Sequence, residues 1–208
     1  MYRTATIVVM AALVVASAQT APKPVDAKQT PAPDPGVITN GVYRNGFFGF
    51  TCKLPFGWVD RTQDMSRSAT EGLPDPKKSM VLLAEFERPP EAIGETVNSA
   101  IVIAAEPASA YSGLRNAEHY FGPLTELTKS KGLTVINEPY DYPVGAKTLV
   151  RGDFSKPVGK LTMHQSTLVM MEKGYVVSFT FIAGIEDEVD GLVEGLSFGT
   201  VPTTGQQK

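Results

Sequence analysis

The chain has two histidines, and each lies in a different predicted element. His119 lies in NAEHYF, near the edge of the apolar stripe of a predicted helix, whereas His164 lies in LTMHQST in a predicted strand. An imidazole beside a carboxylate can act as a general base near neutral pH, which is the chemistry of many hydrolases. Structural histidines fit both contexts better. A hydrolase that uses His164 or His119 with a carboxylate is the alternative to a non-enzymatic protein.

A lone cysteine and an acidic run are weaker candidates for a nucleophile and a cation site. Cys52, the only cysteine, follows Phe48 and Phe50 on one face of a predicted strand, so it is expected in the core as a small apolar residue. The acidic run Glu186 to Asp190 opens a predicted helix, where negative charge suits the helix dipole. Its carboxylates lack the alternating spacing of a calcium loop. The sequence therefore predicts no catalytic residue, no metal site and no cofactor.

Trp58 is the only tryptophan, and it follows the bend Pro55 to Gly57. The first interpretation is an anchor at the sheet edge. The following segment, residues 60–79, is predicted to be a polar, irregular loop, and such loops on a rigid scaffold often carry recognition. Lys77 and Lys78 follow stiff prolines in LPDPKKS. The candidate protein contacts are therefore Trp58, Lys77 and Lys78.

The N-terminus predicts export. Arg3 precedes an apolar run from Ile7 to Val15, and the small residues of Ala16-Ser17-Ala18 suit signal peptidase. Residues 1–18 are thus a predicted signal peptide. Its apolar run from Ile7 to Ala18 is too short to span a bilayer, and no membrane span is expected after cleavage. The protein is expected in the periplasm or outside the cell.

Composition sets the domain limits and excludes some partners. Residues 19–40 are rich in proline and predict a disordered linker, residues 41–200 form one domain, and residues 201–208 form a flexible tail. The formal net charge of the whole chain is −3, and cleavage after Ala18 would make it more negative by removing Arg3. A mildly acidic protein is a poor partner for nucleic acid or anionic membrane.

Within the domain, period-two patterns predict strands and two period-3.6 patterns predict helices. Strands are expected near 47–53, 80–86, 97–105, 147–154, 160–171 and 175–183. A helix is expected over 113–131, kinked or broken at Pro123. A second helix carries the apolar stripe from Ile185 to Leu196.

Short motifs along these elements resemble a known family. Tyr43, Asn45, Gly49 and Phe50 form Y-x-N-x-x-x-G-F, which is followed by P-x-G-W ending at Trp58, the strand GYVVSFTF and the ending GLSF. Together they resemble the PsbP-like fold family, in particular its exported bacterial members. The resemblance implies an α+β fold in which an antiparallel sheet carries helices on both faces, an αβα sandwich.

The resemblance also bears on function. Members of known role mostly bind another protein, which implies a non-enzymatic, exported binding or scaffold domain of the bacterial envelope. Its expected partner is an envelope protein or a small ligand. The photosynthetic role does not transfer, because none of the photosystem subunit's metal or docking residues has a match here. The Ran-binding role does not fit a chain with a predicted export signal. A purely structural role would be favoured by an edge strand open to pairing.

Overall fold

The computed structural model describes residues 32–70, 79–89 and 96–199. The strands are β1 (Val37–Thr39), β2 (Val42–Asn45), β3 (Phe50–Lys53), β4 (Val59–Asp60), β5 (Met80–Phe86), β6 (Ala100–Pro107), β7 (Thr134–Val144), β8 (Lys147–Val158), β9 (Leu161–Glu172), β10 (Tyr175–Ala183) and β11 (Leu196–Phe198). The helices are α1 (Thr62–Thr70), α2 (Ala117–Ser130) and α3 (Glu186–Val193). None of the helices in these ranges has the length and apolar character that a bilayer crossing requires.

The larger sheet has seven strands in the order β4-β5-β6-β10-β9-β8-β7, all antiparallel. The central strand β10 pairs Phe179 with Ile103 on one side and with Leu168 on the other. All three side chains are fully buried. The alternating apolar residues of β10 thus place one continuous hydrophobic row in the middle of the sheet.

A second sheet covers one face of the first. Its order is β1-β2-β3-β11, and its apolar side chains share a core cluster with those of β5, β6, β9 and β10. Phe50 of β3 lies edge-on to Phe179 with ring centroids 4.9 Å apart, and Phe198 of β11 lies 6.0 Å from the same ring. Aromatic rings packed edge to face in this way add specific geometry to the buried area.

Helices contact each side of the larger sheet, but not as two helical layers. The helix α3 buries Val189, Leu192 and Val193 in the core that the second sheet also forms. The helix α2 packs Tyr120 and Phe121 on the opposite face, against β8, β9 and β10. The fold is therefore built mainly from antiparallel sheets, and the simple αβα sandwich expected from the resemblance is not confirmed.

Several local predictions need correction. The helix α1 lies in the segment predicted to be an irregular loop, and Thr62 at its start accepts a hydrogen bond from the Ala84 backbone. The strand β1 lies in the predicted linker and pairs with β2. The helix α2 continues through Pro123, so of the two outcomes expected there, a kink or a break, the break does not occur. The strand β7 was not predicted. The predicted signal peptide and C-terminal tail lie outside the described residues.

Candidate functional site

A cluster of buried polar side chains lies where β7, β8 and β9 meet α3. Arg151 and Asp153 alternate along β8, so both point to the face that α3 covers, next to buried Leu149. The Arg151 Nε donates to Asp153 Oδ1 at 2.8 Å, and its Nη2 donates to Ser166 Oγ at 2.9 Å and to Asp190 Oδ1 at 2.6 Å. The guanidinium thereby links two strands to a helix.

Asp153 is held as a carboxylate. Burial by itself would raise the pKa of Asp153, but hydrogen bonds from Ser166, Arg151 and Asn137 and the charge of Arg151 outweigh it and lower that pKa. The shortest of these bonds runs from Ser166 Oγ to Asp153 Oδ1 at 2.5 Å. Asp153 therefore carries its charge inside the protein near neutral pH.

An irregularity in β7 brings two more donors to Asp153. Asn137 is opposite Asp153 and Tyr140 is opposite Arg151, so four residues of β7 (137–140) lie opposite three of β8 (151–153). This bulge turns both side chains to one face, where Asn137 Nδ2 and Tyr140 Oη each donate to Asp153 Oδ2 at 3.1 Å. Burial, and then the negative charge of Asp153, raise the pKa of Tyr140 to about 12.

An open cavity of about 420 Å³ lies over this cluster. It is lined by Ile136, Asn137, Tyr140, Tyr142, Arg151, Asp153, Phe154, His164, Gln165, Ser166, Glu186, Val189, Asp190 and Glu194. Its lining contains four carboxylate side chains against one guanidinium and one imidazole. The cavity is therefore a preformed, polar and predominantly negative recess with tyrosine rings on one wall.

His164 reaches this cavity, but without a nucleophile. Its Nδ1 lies 3.4 Å from Glu186 Oε1, at the start of α3. The nearby Ser166 hydroxyl donates to Asp153 and accepts from Arg151, so it is held away from a catalytic role. Among the described residues, no serine, threonine or cysteine makes a hydrogen bond to either histidine side chain. A histidine–carboxylate pair is present, whereas a nucleophile–base pair is not.

The other residues considered for hydrolase chemistry lie apart from His164. His119 is exposed on α2, across the sheet from the cavity, and its backbone N–H donates to the Asn116 side chain that caps the helix. Cys52 is fully buried in the core between the sheets, and burial raises the pKa of its thiol to about 12. A buried thiol of this kind is a poor nucleophile.

A serine spacing that was taken from the sequence to be absent is present, but its role is structural. Residues 195–199, GLSFG, have the G-x-S-x-G spacing of the hydrolase nucleophile elbow. That elbow requires a turn from a strand into a helix, whereas here α3 precedes the strand β11. Ser197 is exposed and lies opposite Thr51 in the ladder.

Two carboxylates in the acidic run of α3 form hydrogen bonds with side chains of the larger sheet and its approach, and the run is not arranged as a metal site. Glu188 accepts a hydrogen bond from Ser99 at 2.8 Å, and Asp190 accepts one from Arg151. In the part of the chain that the structure describes, no group of three or more histidine, cysteine, aspartate or glutamate side chains could hold a metal ion. Two members of the run instead help to fasten α3 to the larger sheet.

Trp58 lines a second recess, of about 540 Å³, between the end of β3 and the strand β5. The wall includes Leu54, the fully exposed Phe56 and the buried Glu85. Trp58 also packs partly against the core between the sheets, in keeping with the predicted anchor. Lys77 and Lys78 lie outside the described residues, so their part in a contact surface stays a prediction.

Sequence reasoning missed Arg151, Asp153, Asn137 and Tyr140. The available signal was the pair of opposite charges at alternate positions of LVRGDF, on the same face as an apolar residue of a predicted strand. A buried face interrupted by charge is unusual unless the charges pair with each other. The two β7 residues gave no such signal because their shared face depends on the bulge.

Comparisons with known proteins find similarities of fold. The chain is similar to cyanobacterial PsbP from Synechocystis, with 13% identity over 76% of this chain and 91% of that one and a TM-score of 0.48. It is also similar to the Ran-binding protein Mog1p of Saccharomyces cerevisiae (14% identity, 72% and 90% coverage, TM-score 0.40). A third similar structure is LpqN, involved in cell envelope biogenesis of Mycobacterium tuberculosis (14% identity, 80% and 87% coverage, TM-score 0.36).

The similarity to PsbP agrees with the PsbP-like resemblance that the sequence motifs predicted, and at these identities it concerns the fold alone. No family model matches the chain. No curated protein matches it in sequence.

Proposed function

We propose that this protein is an exported, non-enzymatic binding domain of the bacterial envelope. Its ligand site is the cavity between α3 and β7 to β9, and its ligand is a small molecule or peptide segment with a positively charged group. The observation that carries this proposal is the ordered polar lining around Arg151 and Asp153. A rigid recess whose polar groups are held in place lowers the entropy cost of binding.

The charge of the lining supports a cationic ligand. Arg151 is already bound to Asp153 and Asp190, so its charge is compensated within the cluster. Glu186 and Glu194 remain at the rim as exposed carboxylates. Tyr140 adds an aromatic ring, and cations bind favourably at the faces of such rings. A cationic group can thus meet both a carboxylate and a ring.

The occupied hydrogen-bonding groups support binding over catalysis. Ser166 is committed to Asp153 and Arg151, and Asp153 accepts from four side chains. Groups with this many fixed partners hold geometry and charge in place, but they do not readily accept or release a proton during turnover. The proposed role of the cluster is therefore recognition.

The edges of the larger sheet do not favour assembly by strand pairing. The edge strand β7 contains Pro139 and Pro143 and has two register shifts against β8. The opposite edge strand, β4, has two residues. Prolines, bulges and short strands are the features that protect sheet edges from pairing with another chain. A ligand-binding role is therefore preferred to a purely structural one.

The proposal is tested by calorimetric titration with putrescine, choline and lysine amide, against succinate and glucose as anionic and neutral probes. At least one cationic probe is expected to bind. Glu186→Gln is expected to weaken that binding about 5-fold, since one rim charge contributes about 1 kcal/mol. Asp187→Asn is the matched control, because it removes a neighbouring charge in the same helical turn that does not line the cavity.

Two results would contradict the proposal. One is that no cationic probe binds, or that succinate or glucose binds better than all of them. The other is that Asp187→Asn weakens binding as much as Glu186→Gln, because the effect would then reflect the general field of α3 and not the cavity.

The contact between His164 and Glu186 keeps a hydrolase as the second candidate function. It is tested with p-nitrophenyl esters and a casein digest, comparing wild-type protein with His164→Ala. The binding proposal expects equal background rates for both proteins. Turnover by the wild type that His164→Ala abolishes, while His119→Ala retains it, would establish the hydrolase instead.

A further inference from the structure

The recess beside Trp58 differs in character from the cavity under α3. It lies between the end of β3 and the strand β5, and its wall is formed largely by apolar groups of Ile38, Leu54, Phe56 and Trp58. Phe56 is fully exposed at the bend, and Ile38 is 44% exposed. Exposed apolar groups gathered at one recess are a feature of interaction sites.

One acidic side chain is buried in this wall. Glu85 is only 4% exposed, yet within the described ranges it makes no hydrogen bond or ion pair. It is opposite Asp60 on β4 and Ile101 on β6, so neither flanking strand supplies a cation in register. A buried carboxyl without a partner is costly, and most such groups in proteins are paired.

The charged groups around Glu85 do not compensate it. Asp60 is a like charge, Arg61 is bound to Asp64, and Lys53, which also lines the recess, forms no ion pair with Glu85. Burial, and then the charge of Asp60, raise the pKa of Glu85 to about 7. The recess therefore has an unmet preference for a positive charge.

We propose that this recess binds a lysine or arginine side chain of a partner protein, with the aliphatic stem against Trp58 and the cationic group beside Glu85. Long basic side chains combine an apolar stem with a charged end, which matches an apolar wall with one buried carboxylate. Apolar residues flanking that side chain cover Phe56 and Ile38. The partner thus supplies the charge that β4 and β6 do not.

Other occupants fit these groups less well. A purely apolar ligand would leave the Glu85 carboxyl buried and unpaired. An anionic membrane surface would bring phosphate groups towards Glu85 and Asp60, and like charges repel. A basic side chain alone satisfies both the carboxylate and the apolar wall.

Trp58 makes the site directly observable, because it is the only tryptophan in the chain. The probes are acetyl-Leu-Lys-Leu-amide and the same peptide with norleucine in place of lysine, titrated while tryptophan emission is recorded. The lysine peptide is expected to change the emission in a saturable manner and to bind at least about 10-fold more tightly than the norleucine peptide.

Substitution of Glu85 tests whether its carboxylate causes the preference for the lysine peptide. Glu85→Gln is expected to remove the advantage of the lysine peptide and to leave the norleucine peptide unchanged. Glu126→Gln, an exposed substitution on α2, is the matched control and is expected to bind both peptides as the wild type does. The comparison of the two peptides on wild-type protein stands even if Glu85→Gln fails to fold.

The pH dependence follows from the ionisation of Glu85. Its carboxylate pairs with a cation and its neutral form does not, so the lysine peptide is expected to bind more weakly as pH falls below about 7. The norleucine peptide is expected to show no such change. Asp60 and Lys53 flank the site, and Asp60→Asn is expected to shift the transition to lower pH without abolishing it.

Three outcomes would overturn the proposal. They are an unchanged Trp58 emission at millimolar concentrations of both peptides, equal affinity for the two peptides, and a blue shift with phosphatidylglycerol vesicles but not with the lysine peptide. The last would identify the recess as a membrane contact. None of them bears on the cavity under α3, whose probes are tested separately.

Discussion

Among single residues, Arg151 is the one through which the polar cluster in the sheet is joined to α3. Its guanidinium joins Asp153 and Ser166 within the sheet to Asp190 on α3, and it lies over the ring of Tyr142 with its Cζ 4.9 Å from the ring centroid. Both Arg151 and Asp153 are buried. A buried ion pair adds little net stability over an apolar pair, but the loss of one partner leaves the other charge without compensation.

Arg151→Met is therefore expected to lower the free energy of unfolding by about 3 kcal/mol, because Asp153 stays buried without its cation. Chemical denaturation measures this value. Arg115→Met is the control, since Arg115 is exposed before α2, and its effect is expected within about 0.5 kcal/mol of zero. An Arg151→Met protein as stable as the control would mean that the cluster does not hold α3 to the sheet.

The ionisation of Asp153 makes the stability of the protein depend on pH. Its pKa is lower in the folded protein than in the unfolded chain, so its stabilising contribution is present above the unfolded pKa of about 3.9 and is lost as pH falls through the folded value. Below about pH 4, the free energy of unfolding is expected to decrease more steeply with falling pH for wild-type protein than for Asp153→Asn. Asp141→Asn, which changes an exposed carboxylate of β7, is expected to follow the wild type. Parallel curves for wild type and Asp153→Asn would contradict the assignment.

At the element scale, the packing of α2 depends on a glycine in β8. A Cβ atom at Gly152 would lie 2.6 Å from Phe121 Cε1, so only glycine allows the ring to sit on the strand. Gly152→Ala is expected to reduce the free energy of unfolding by about 2 kcal/mol, as overpacked cores do. Gly122→Ala changes an exposed neighbour of the same ring that has no atom within 4 Å, and it is expected to leave stability unchanged or slightly higher. Equal effects of the two substitutions would show that the ring moves freely.

The elements that sequence reasoning found and missed differ in their patterning. From Val177 onward the residues of β10 alternate between buried and half-buried, and Tyr175–Ala183 was predicted with its observed bounds. The strand β7, TVINEPYDYPV, is an edge strand that contains two prolines and three carboxylate or amide side chains. Its apolar residues therefore do not recur at every second position. The helix α1 was missed because Met65 is its only large apolar residue. The candidate cavity needs β7, and it could not be assembled from the sequence without that strand.

For the molecule as a whole, export is the prediction that connects the proposed binding domain to its proposed place in the bacterial envelope. The expected cleavage lies between Ala18 and Gln19, since Ala16 and Ala18 provide the small residues that signal peptidase requires. Protein expressed from the full chain in a Gram-negative host is expected in the periplasmic fraction. Its mass is expected to be that of a chain beginning at Gln19. Deletion of residues 2–18 is expected to retain it in the cytoplasm. An intact Met1 in the cytoplasmic fraction of the full-length chain would contradict export.

The cavity between α3 and β7 to β9 is the proposed ligand site. The most direct test is amide chemical-shift mapping of isotope-labelled protein during titration with putrescine, choline and lysine amide. A ligand site in this cavity predicts saturable shifts, and they are expected to be concentrated at Tyr140, Tyr142, His164, Glu186 and Asp190, with His119 and the rest of α2 unchanged. Shifts spread evenly over exposed carboxylates, or no shifts at all, would contradict it.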